Sequence, residues 1–279
     1  MPTIIIHSPD LSEDQSSVLT NKLGATPTAC ENHHRILLDA PITMEVLEEL
    51  RAELLIDINQ LPDSFETNSI QLLITDMDST LINIECVDEI ADFVGVKPQV
   101  AAITEAAMRG EIDFAASLTQ RVALLDGLDV SALERVYNER LQLNPGAEVL
   151  IAGLKTKGIK TALVSGGFTF FTERLKSRLK LDYTLANVLS VNNNKLEGRV
   201  KGDIVGAETK KSYLLQLCEE LNIQPHQAIA MGDGANDLQM LNLAGLGIAY
   251  HAKPTVRAKA DVSIQFRGLD AVLDFLSVT

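Results

Sequence analysis

The stretch Leu72-Leu-Ile-Thr-Asp76-Met-Asp78-Ser-Thr80 constrains the fold more than any other in the chain. It opens on an apolar run with no alternation of polar and apolar positions. That pattern describes a strand buried on both faces, which is the habit of parallel sheets covered by helices. The run then delivers two carboxylates, Asp76 and Asp78, one residue apart at its C-terminal end. In an open parallel sheet that edge is where ligands bind. Two carboxylates so close repel each other unless a cation lies nearby or one of them takes a proton. One outcome is a Mg²⁺ ligand set; the other is a nucleophile beside a general acid. The ordinary reading of a bare D-x-D is a turn with a helix-capping Asp, and the buried strand in front and Ser79-Thr80 behind weigh against it.

Two further apolar runs end in the same way. Ala162-Leu-Val-Ser165-Gly166-Gly167 closes a strand on a hydroxyl and two glycines before a helix, where backbone N–H groups can face an anion. It is not a hydrolase nucleophile elbow, because G-x-S-x-G needs Gly at position 163, which is Leu. Taken alone it reads most simply as a strand–helix turn. Ile229-Ala-Met-Gly232-Asp233-Gly-Ala-Asn236-Asp237 ends another strand in acids within a glycine-rich turn. It lacks the third glycine of G-x-G-x-x-G, and the chain contains no G-x-x-x-x-G-K-[ST]. Asp233 with Asp76 would complete an oxygen-rich Mg²⁺ site. Between these two turns, Gly206-Ala-Glu-Thr-Lys210-Lys211 opens a helix whose lysine can reach a phosphoryl group, although a single solvated lysine is commonplace.

Apolar runs ending in Asp or Ser alternate with helical segments from Ser69 onward. Strands are predicted at 70–75, 160–164, 228–231, 246–250 and 262–265, the pattern of a parallel sheet with crossover helices. Between the first two lies an all-helical stretch, about 85–143. Gly95 closes its first helix, Pro98 opens and Gly110 closes the second, Asp113 caps the third, and Ser131-Ala-Leu-Glu134 starts the fourth as a capping box. Four helices inserted after the first strand predict a lid or cap. The sequence 188–200, turning at Asn192-Asn-Asn-Lys195, predicts a β-hairpin.

The first 68 residues differ. They hold twelve acids against three bases, a net of −9, and one glycine of the chain's 17. Strands are predicted at 3–7, 35–39 and 54–58 with helices at 12–23 and 41–53, followed by a polar, proline-containing linker over 61–69. The adjacent His33 and His34 would point to opposite faces of a strand and so not share a metal; they read as a solvated loop or strand pair. The expected domains are 1–68, a small α+β module, and 69–279, an α/β unit with the helical insert.

The whole chain carries 38 acids against 24 lysines and arginines, a net of −14. That balance argues against a nucleic-acid partner, which requires a basic stripe, and against an anionic membrane surface. It leaves room for a small anionic substrate, because a metal ion and a few local cations override a global charge. No apolar run is long enough to span a bilayer, and the acidic start lacks the basic region of a signal peptide. Three scattered cysteines, Cys30, Cys86 and Cys218, fit a reducing compartment, so a cytoplasmic protein is expected.

The order acid pair, Ser-Gly-Gly, Lys, Gly-Asp-Gly-x-Asn-Asp, with the helical insert, resembles the haloacid dehalogenase superfamily over residues 70–266. Asp76-Met-Asp-Ser-Thr-Leu81, Glu85-Cys-Val-Asp-Glu-Ile-Ala91, 108–114, Arg121-Val-Ala-Leu-Leu125, Ser165-Gly-Gly-Phe168 and Gly232–Asp237 are similar to its phosphoserine-hydrolysing branch. The resemblance implies a Rossmann-like core with a helical-bundle cap, and in position and size the first module resembles the ACT-like regulatory domain that some members carry. It also implies roles. Asp76 is the nucleophile and Asp78 the general acid and base. Asp76, Asp233 and the main-chain carbonyl of Asp78 hold Mg²⁺. Ser165, Gly166, Gly167, Lys210 and Asn236 hold the phosphoryl group. Asp237 supports the metal shell or Lys210. Glu85 and Arg121 select the ammonium and carboxylate of O-phospho-L-serine, and Met108 and Phe114 close an apolar lid. The same parts serve other phosphatases and phosphomutases, and a sensor built on the acidic module is a reading from a different class. A homodimer through that module is a further expectation.

Overall fold

The computed structural model describes residues 1–109 and 111–277, and among them two sheets account for the strands. The first is antiparallel. It is built from β1 (Thr3–Ile6), β2 (Thr28–Ala29), β3 (His34–Leu37) and β4 (Ile58–Gln60) in the order β2-β3-β1-β4. Helices α1 (Glu13–Leu23) and α2 (Met44–Leu54) cover one face, where Ile4, Ile6, Leu19, Leu47, Leu50 and Ile58 are buried together. Ser12 and Gln15 form a reciprocal capping box at the start of α1, and Gly24 ends the helix with φ 72°. One prediction needs correction here, and one strand had gone unseen. Residues 54–58 are not a strand: Leu54 closes α2, Leu55 takes the left-handed cap conformation (φ 54°), and pairing begins only at Ile58. The run of apolar residues there is split between the inner stripe of a helix and a strand. The two-residue edge strand β2 is too short to leave a pattern in the sequence.

The other face of this sheet is spent on the rest of the chain. Ile5 joins the apolar core of the second unit. Asp57 accepts hydrogen bonds from the backbone N–H of Gln265 (2.7 Å), Phe266 (3.0 Å) and Arg267 (2.9 Å). His7 Nδ1 lies 2.8 Å from Asp274 Oδ2. His33, expected in solvent, is 1% exposed and faces the same Asp274. The predicted linker 61–69 is anchored at its start by Leu61, which is buried in the main core, and the next residue, Ile70, is buried there too.

The second sheet contains β5 (Leu72–Thr75), β6 (Lys160–Phe168), β7 (Tyr183–Asn192), β8 (Lys195–Lys201), β9 (Ala228–Gly232), β10 (Leu246–Tyr250) and β11 (Val262–Ile264). Their order is β11-β10-β9-β5-β6-β7-β8, parallel except for β8. All four residues of β5 are buried, as the unbroken apolar run requires. From β5 the chain moves outward through β6 and β7, then crosses to β9 on the opposite side. The direction of winding therefore reverses between β5 and β9, and such a reversal opens a crevice beyond the strand ends. The predicted hairpin is present, turned by Asn193 and Asn194 with φ 48° and 60°. Its first strand starts earlier than expected, because Tyr183–Ala186 pair with β6 in the main sheet.

Between β5 and β6 the chain makes one helical excursion: α3 (Cys86–Phe93), α4 (Lys97–Met108), α5 (Phe114–Ala123) and α6 (Ser131–Glu139). Asp113 caps α5 by accepting from Ala116 N at 2.7 Å. Gly110, predicted to close α4, lies outside the described residues. Ser131 is not a cap; it is the first helical residue, and Asp129 Oδ1 accepts its N–H. The excursion leaves and returns through a narrow seam. Ile82 bridges Leu143, Asn83 N donates to Gln142 O (3.0 Å), and Asn144 Nδ2 donates to Thr80 O (2.8 Å). The chain resumes with α7 (Ala147–Thr156), α8 (Thr169–Leu179), α9 (Ala207–Glu220), the short α10 (Leu238–Leu241) and α11 (Pro254–Arg257), and a 3₁₀ segment (Leu269–Leu276). No described helix is long and apolar enough to cross a membrane.

Candidate active site

The ends of β5 and β9 stand side by side, with Thr75 paired to Met231 and Asp76 N donating to Met231 O at 2.9 Å. That register brings Asp76 and Asp233 together at the lip of the crevice. Oxygens of Asp76, Asp233 and Asp237 lie within 4.8 Å of one another. Beneath them Lys210, on the first turn of α9 and fully buried, places its Nζ 2.7 Å from both Asp76 Oδ1 and Asp237 Oδ1. Desolvation works against a buried ammonium, but Asp237 and Asp76 outweigh it and hold the Lys210 proton more firmly than usual.

The carboxyls show the opposite strain. Burial, reinforced by Asp237, pushes Asp76 well above the usual carboxylate range, with Lys210 opposing. Burial and Asp237 raise Asp233 to about 6. Asp78 is raised by burial, against hydrogen bonds from Cys86 and Ser165 that favour its charged form. Glu85 opens on the cleft, yet loss of water around it and the Asp78 charge raise its carboxyl as well. Asp76, Asp233 and Asp237 crowd their oxygens at one point, an arrangement that a divalent cation relieves. The donors are all hard oxygens, and Asp76 Oδ1 accepts no well-directed hydrogen bond despite the ion pair. The set therefore fits a small oxygen-seeking metal ion.

Asp78 turns away from that cluster. Its Oδ1 accepts the backbone N–H of Cys86 at the start of α3 (3.0 Å), and its Oδ2 faces Ser165 Oγ (3.4 Å). The Ser165 hydroxyl is fully buried and accepts the Gly167 N–H at 2.8 Å, so neither group is simply presented to the cleft as the sequence suggests. The strand does not stop at Ser165. It continues to Phe168 with a break in register at the two glycines, where Asn187 Nδ2 holds Gly166 O at 2.8 Å. A Cβ on Gly167 would fall 2.7 Å from Asp78 Oδ2, so this close approach of backbone to carboxylate requires glycine.

The cap completes the enclosure. Glu85, the residue before α3, accepts the Ser79 hydroxyl at 2.7 Å, and Ser79 itself holds φ 56°. Arg121 on α5 faces Asp88, Glu85 and Asp78. Phe114 reaches across to the core: a Cβ on Gly166 would lie 2.8 Å from its Cζ. The cleft so formed has a volume of about 800 Å³. Asp76, Asp78, Glu85, Phe114 and Arg121 line it, as do Gly166, Gly167, Asp233 and Asn236. Ser165, Lys210 and Asp237 lie directly behind its wall. The side chain of Met108 lies outside the described residues.

Sequence reasoning expected Asp237 to support the metal shell or Lys210, and Lys210 to hold the phosphoryl group. The structure puts the Asp237 carboxylate within the oxygen cluster and commits Lys210 to two carboxylates. It missed Thr80, whose hydroxyl donates to Asp233 Oδ1 at 3.2 Å, and Asn187, which also accepts Val205 N at 2.9 Å. Thr80 follows the acid pair directly and was in plain view; Asn187 sits mid-strand and carries no local signal. Also missed are Asp88 on α3 and Lys253 beside α11, both in the cleft wall.

Comparison with known proteins agrees with this geometry. The profile of the haloacid dehalogenase-like hydrolases matches residues 70–245. A phosphoserine phosphatase of Polaromonas sp. is 54% identical over 224 residues, 78% of this chain and 95% of that protein. The crystal structure of a probable phosphoserine phosphatase from Vibrio cholerae superposes with a TM-score of 0.86 at 38% identity, covering 99% of this chain and 86% of that one. A structure of a phosphoserine phosphatase carrying an analogue of the phospho-aspartyl intermediate gives a TM-score of 0.70 at 40% identity, covering 75% and 99%.

Proposed function

Because the chain belongs to the haloacid dehalogenase-like hydrolases, alongside their phosphoserine phosphatases, we propose that its cleft hydrolyses O-phospho-L-serine to L-serine and phosphate in two steps, each centred on the carboxylates that end β5. The observation that carries this reading is the placement of Asp76 and Asp78 on one strand end with different surroundings.

Asp76 is held by the ammonium of Lys210, which fixes the rotation of its carboxylate and favours the charged, nucleophilic form. Its oxygen attacks phosphorus, the P–O bond to serine breaks, and an aspartyl phosphate forms. Splitting the displacement in this way replaces one hard step by two easier ones. Asp78 is anchored through Oδ1 by the Cys86 N–H, and its raised proton affinity suits it to protonate the departing serine oxygen. Once deprotonated, the same group accepts a proton from the water that hydrolyses the acyl phosphate. Asp76, Asp233 and the main-chain carbonyl of Asp78 would hold Mg²⁺, with Asp237 beside them; the bound ion supplies positive charge between a carboxylate and a phosphate that otherwise repel. Asn236 and the Gly166–Gly167 backbone border the phosphate end of the cleft. Arg121 and Glu85 supply a cation and an anion for the two remaining charges of the substrate, and Phe114 keeps water out.

Residues 1–68 we assign to regulation; their sheet order with two helices on one face supports an ACT-like reading. A homodimer through this module would use the α1–α2 face or the exposed β2 edge, since the other face is occupied.

The test is phosphate release from L-phosphoserine with and without Mg²⁺, beside Asp76→Asn. Loss of release without metal and in the variant is expected. Robust turnover by Asp76→Asn would remove the nucleophile, and equal rates on unrelated sugar phosphates would remove the substrate while sparing the mechanism.

A further inference from the structure

The charge balance of the cleft is unfavourable to its substrate. Five carboxylates line it: Asp76, Asp78, Glu85, Asp88 and Asp233. Among the described residues only two cations do so, Arg121 and Lys253. Arg121 already faces Asp88 and Glu85. Lys210 is buried behind the wall and shared by Asp76 and Asp237. Neither Arg121 nor Lys253 forms an ion pair among the described residues, but Arg121 is half-buried among the charges of Asp88, Glu85 and Asp78, and Lys253 is open to solvent. Lys253 stands on the core side, three residues beyond β10, at the residue before α11; Pro254 stiffens that turn, and Val256, 1% exposed, anchors it in the core.

We propose that Lys253 is a substrate-capture residue, drawing the phosphate dianion past the acidic walls to the Asp76–Asp233 end of the cleft. The proposal rests on the phosphatase reading above. A phosphomonoester of serine enters with two negative charges on phosphate and one on carboxylate, partly balanced by its ammonium. The potential at the mouth is set by the charges that solvent and protein leave uncompensated, and among the described residues Lys253 is the more exposed of the two cations that line the cleft. A point charge on a flexible stem attracts the approaching anion without requiring one fixed geometry. Such a rim charge acts on the rate of capture and on its salt dependence more than on the chemical step. It belongs to the core that carries Asp76 and Asp233, not to the cap that carries Arg121, and this aims it at the phosphate rather than the substrate carboxylate.

The test compares wild type, Lys253→Gln, Lys253→Arg and Lys253→Glu as full-length, Mg²⁺-loaded enzyme on L-phosphoserine across a range of ionic strength. Loss of the charge is expected to lower kcat/KM by about tenfold at low salt, mostly through KM, with kcat changed by less than about twofold. The gap should close as salt screens the field. Lys253→Arg should stay near wild type, and Lys253→Glu should fall below Lys253→Gln. The idea is overturned if Lys253→Gln keeps the wild-type KM and salt slope, if kcat falls at constant KM, or if Lys253→Arg is as impaired as Lys253→Gln. A wild-type enzyme inactive on L-phosphoserine would instead overturn the function, so the two failures are separable.

Discussion

Asn59 pairs with Ser263 as one strand pairs with another: its Nδ2 donates to Ser263 O and its Oδ1 accepts Ser263 N, both at 2.9 Å. Ser263 lies on β11, the edge of the main sheet, where main-chain groups would otherwise be left unpaired. The first module thus seals the edge of the catalytic sheet. Asn59→Ala strands a buried donor and a buried acceptor, at a cost of about 2–4 kcal/mol. Urea unfolding should show that loss, and amide exchange should accelerate at 263–265, while kcat changes by less than about twofold. Unchanged exchange at those amides would mean that the side chain does not guard the edge.

Among the described residues Lys210 is the one cation paired with the two buried carboxylates Asp76 and Asp237. Lys210→Met leaves both without a partner, and removing one member of a buried charge set costs about 3–5 kcal/mol. Turnover should drop by at least about 100-fold, because the nucleophile loses both its orientation and its stabilising charge. Circular dichroism melts and phosphate release read the two effects separately. A stable variant with near-normal kcat would contradict the arrangement.

Gly167→Ala places a methyl group 2.7 Å from Asp78 Oδ2, 2.8 Å from Met77 Cε and 3.0 Å from Ser165 Oγ. Overpacking of this kind costs about 1–3 kcal/mol. The larger effect should be kinetic, a loss of about 10–100-fold in kcat, since Asp78 is displaced from the leaving oxygen. A melting temperature far more sensitive than kcat would show that the position matters for packing and not for the acid.

Neither ring nitrogen of His33 finds a hydrogen-bond partner among the described residues. Burial lowers its proton affinity below the ordinary value of 6.5, Asp274 opposing and His7, Arg35 and His34 assisting. The unfolded chain therefore takes up this proton at higher pH than the folded one. Stability from this group is complete above pH 6.5 and declines as pH falls below it, at up to about 1.4 kcal/mol per pH unit. His33→Leu should flatten that acid limb in urea unfolding measured between pH 7.5 and 5, taken as roughly the window in which histidine titrates. An identical limb in the variant would place the proton elsewhere.

These examples show why some of the molecule is legible from residue order and some is not. β5 and β9 could be read because a buried parallel strand announces itself by continuous apolarity, and the acids that follow it are adjacent in sequence. Cap helices could be placed from Asp113 and Gly95, since capping is local. The pairings were out of reach. Nothing near His33 shows that Asp274, at the far end of the chain, will bury it. The support of Lys210 by Asp237 came only from the family resemblance, and nothing near Lys210 shows that Asp76 will share it. Lys253 sits in a turn before Pro254 that resembles any other surface turn, and only the closure of the sheet brings it to the cleft. Ser131 misled for a smaller reason: Asp129, two residues earlier, competes for the same capping role and wins it.

The seam at Ile82 and Leu143 has a consequence for assembly. Leu72 pairs with Lys160, so the two strands must find each other across a long stretch of chain, and each doubling of such a loop adds to the entropy lost on closing it. Helices α3 to α6 make their contacts locally and can form early. Once they pack, Asn83 and Gln142 meet, and the gap between β5 and β6 shrinks to a short turn on one side of the seam and the segment carrying α7 on the other. The helical insert that roofs the cleft is therefore also a clasp that shortens the closure bringing β5 to β6.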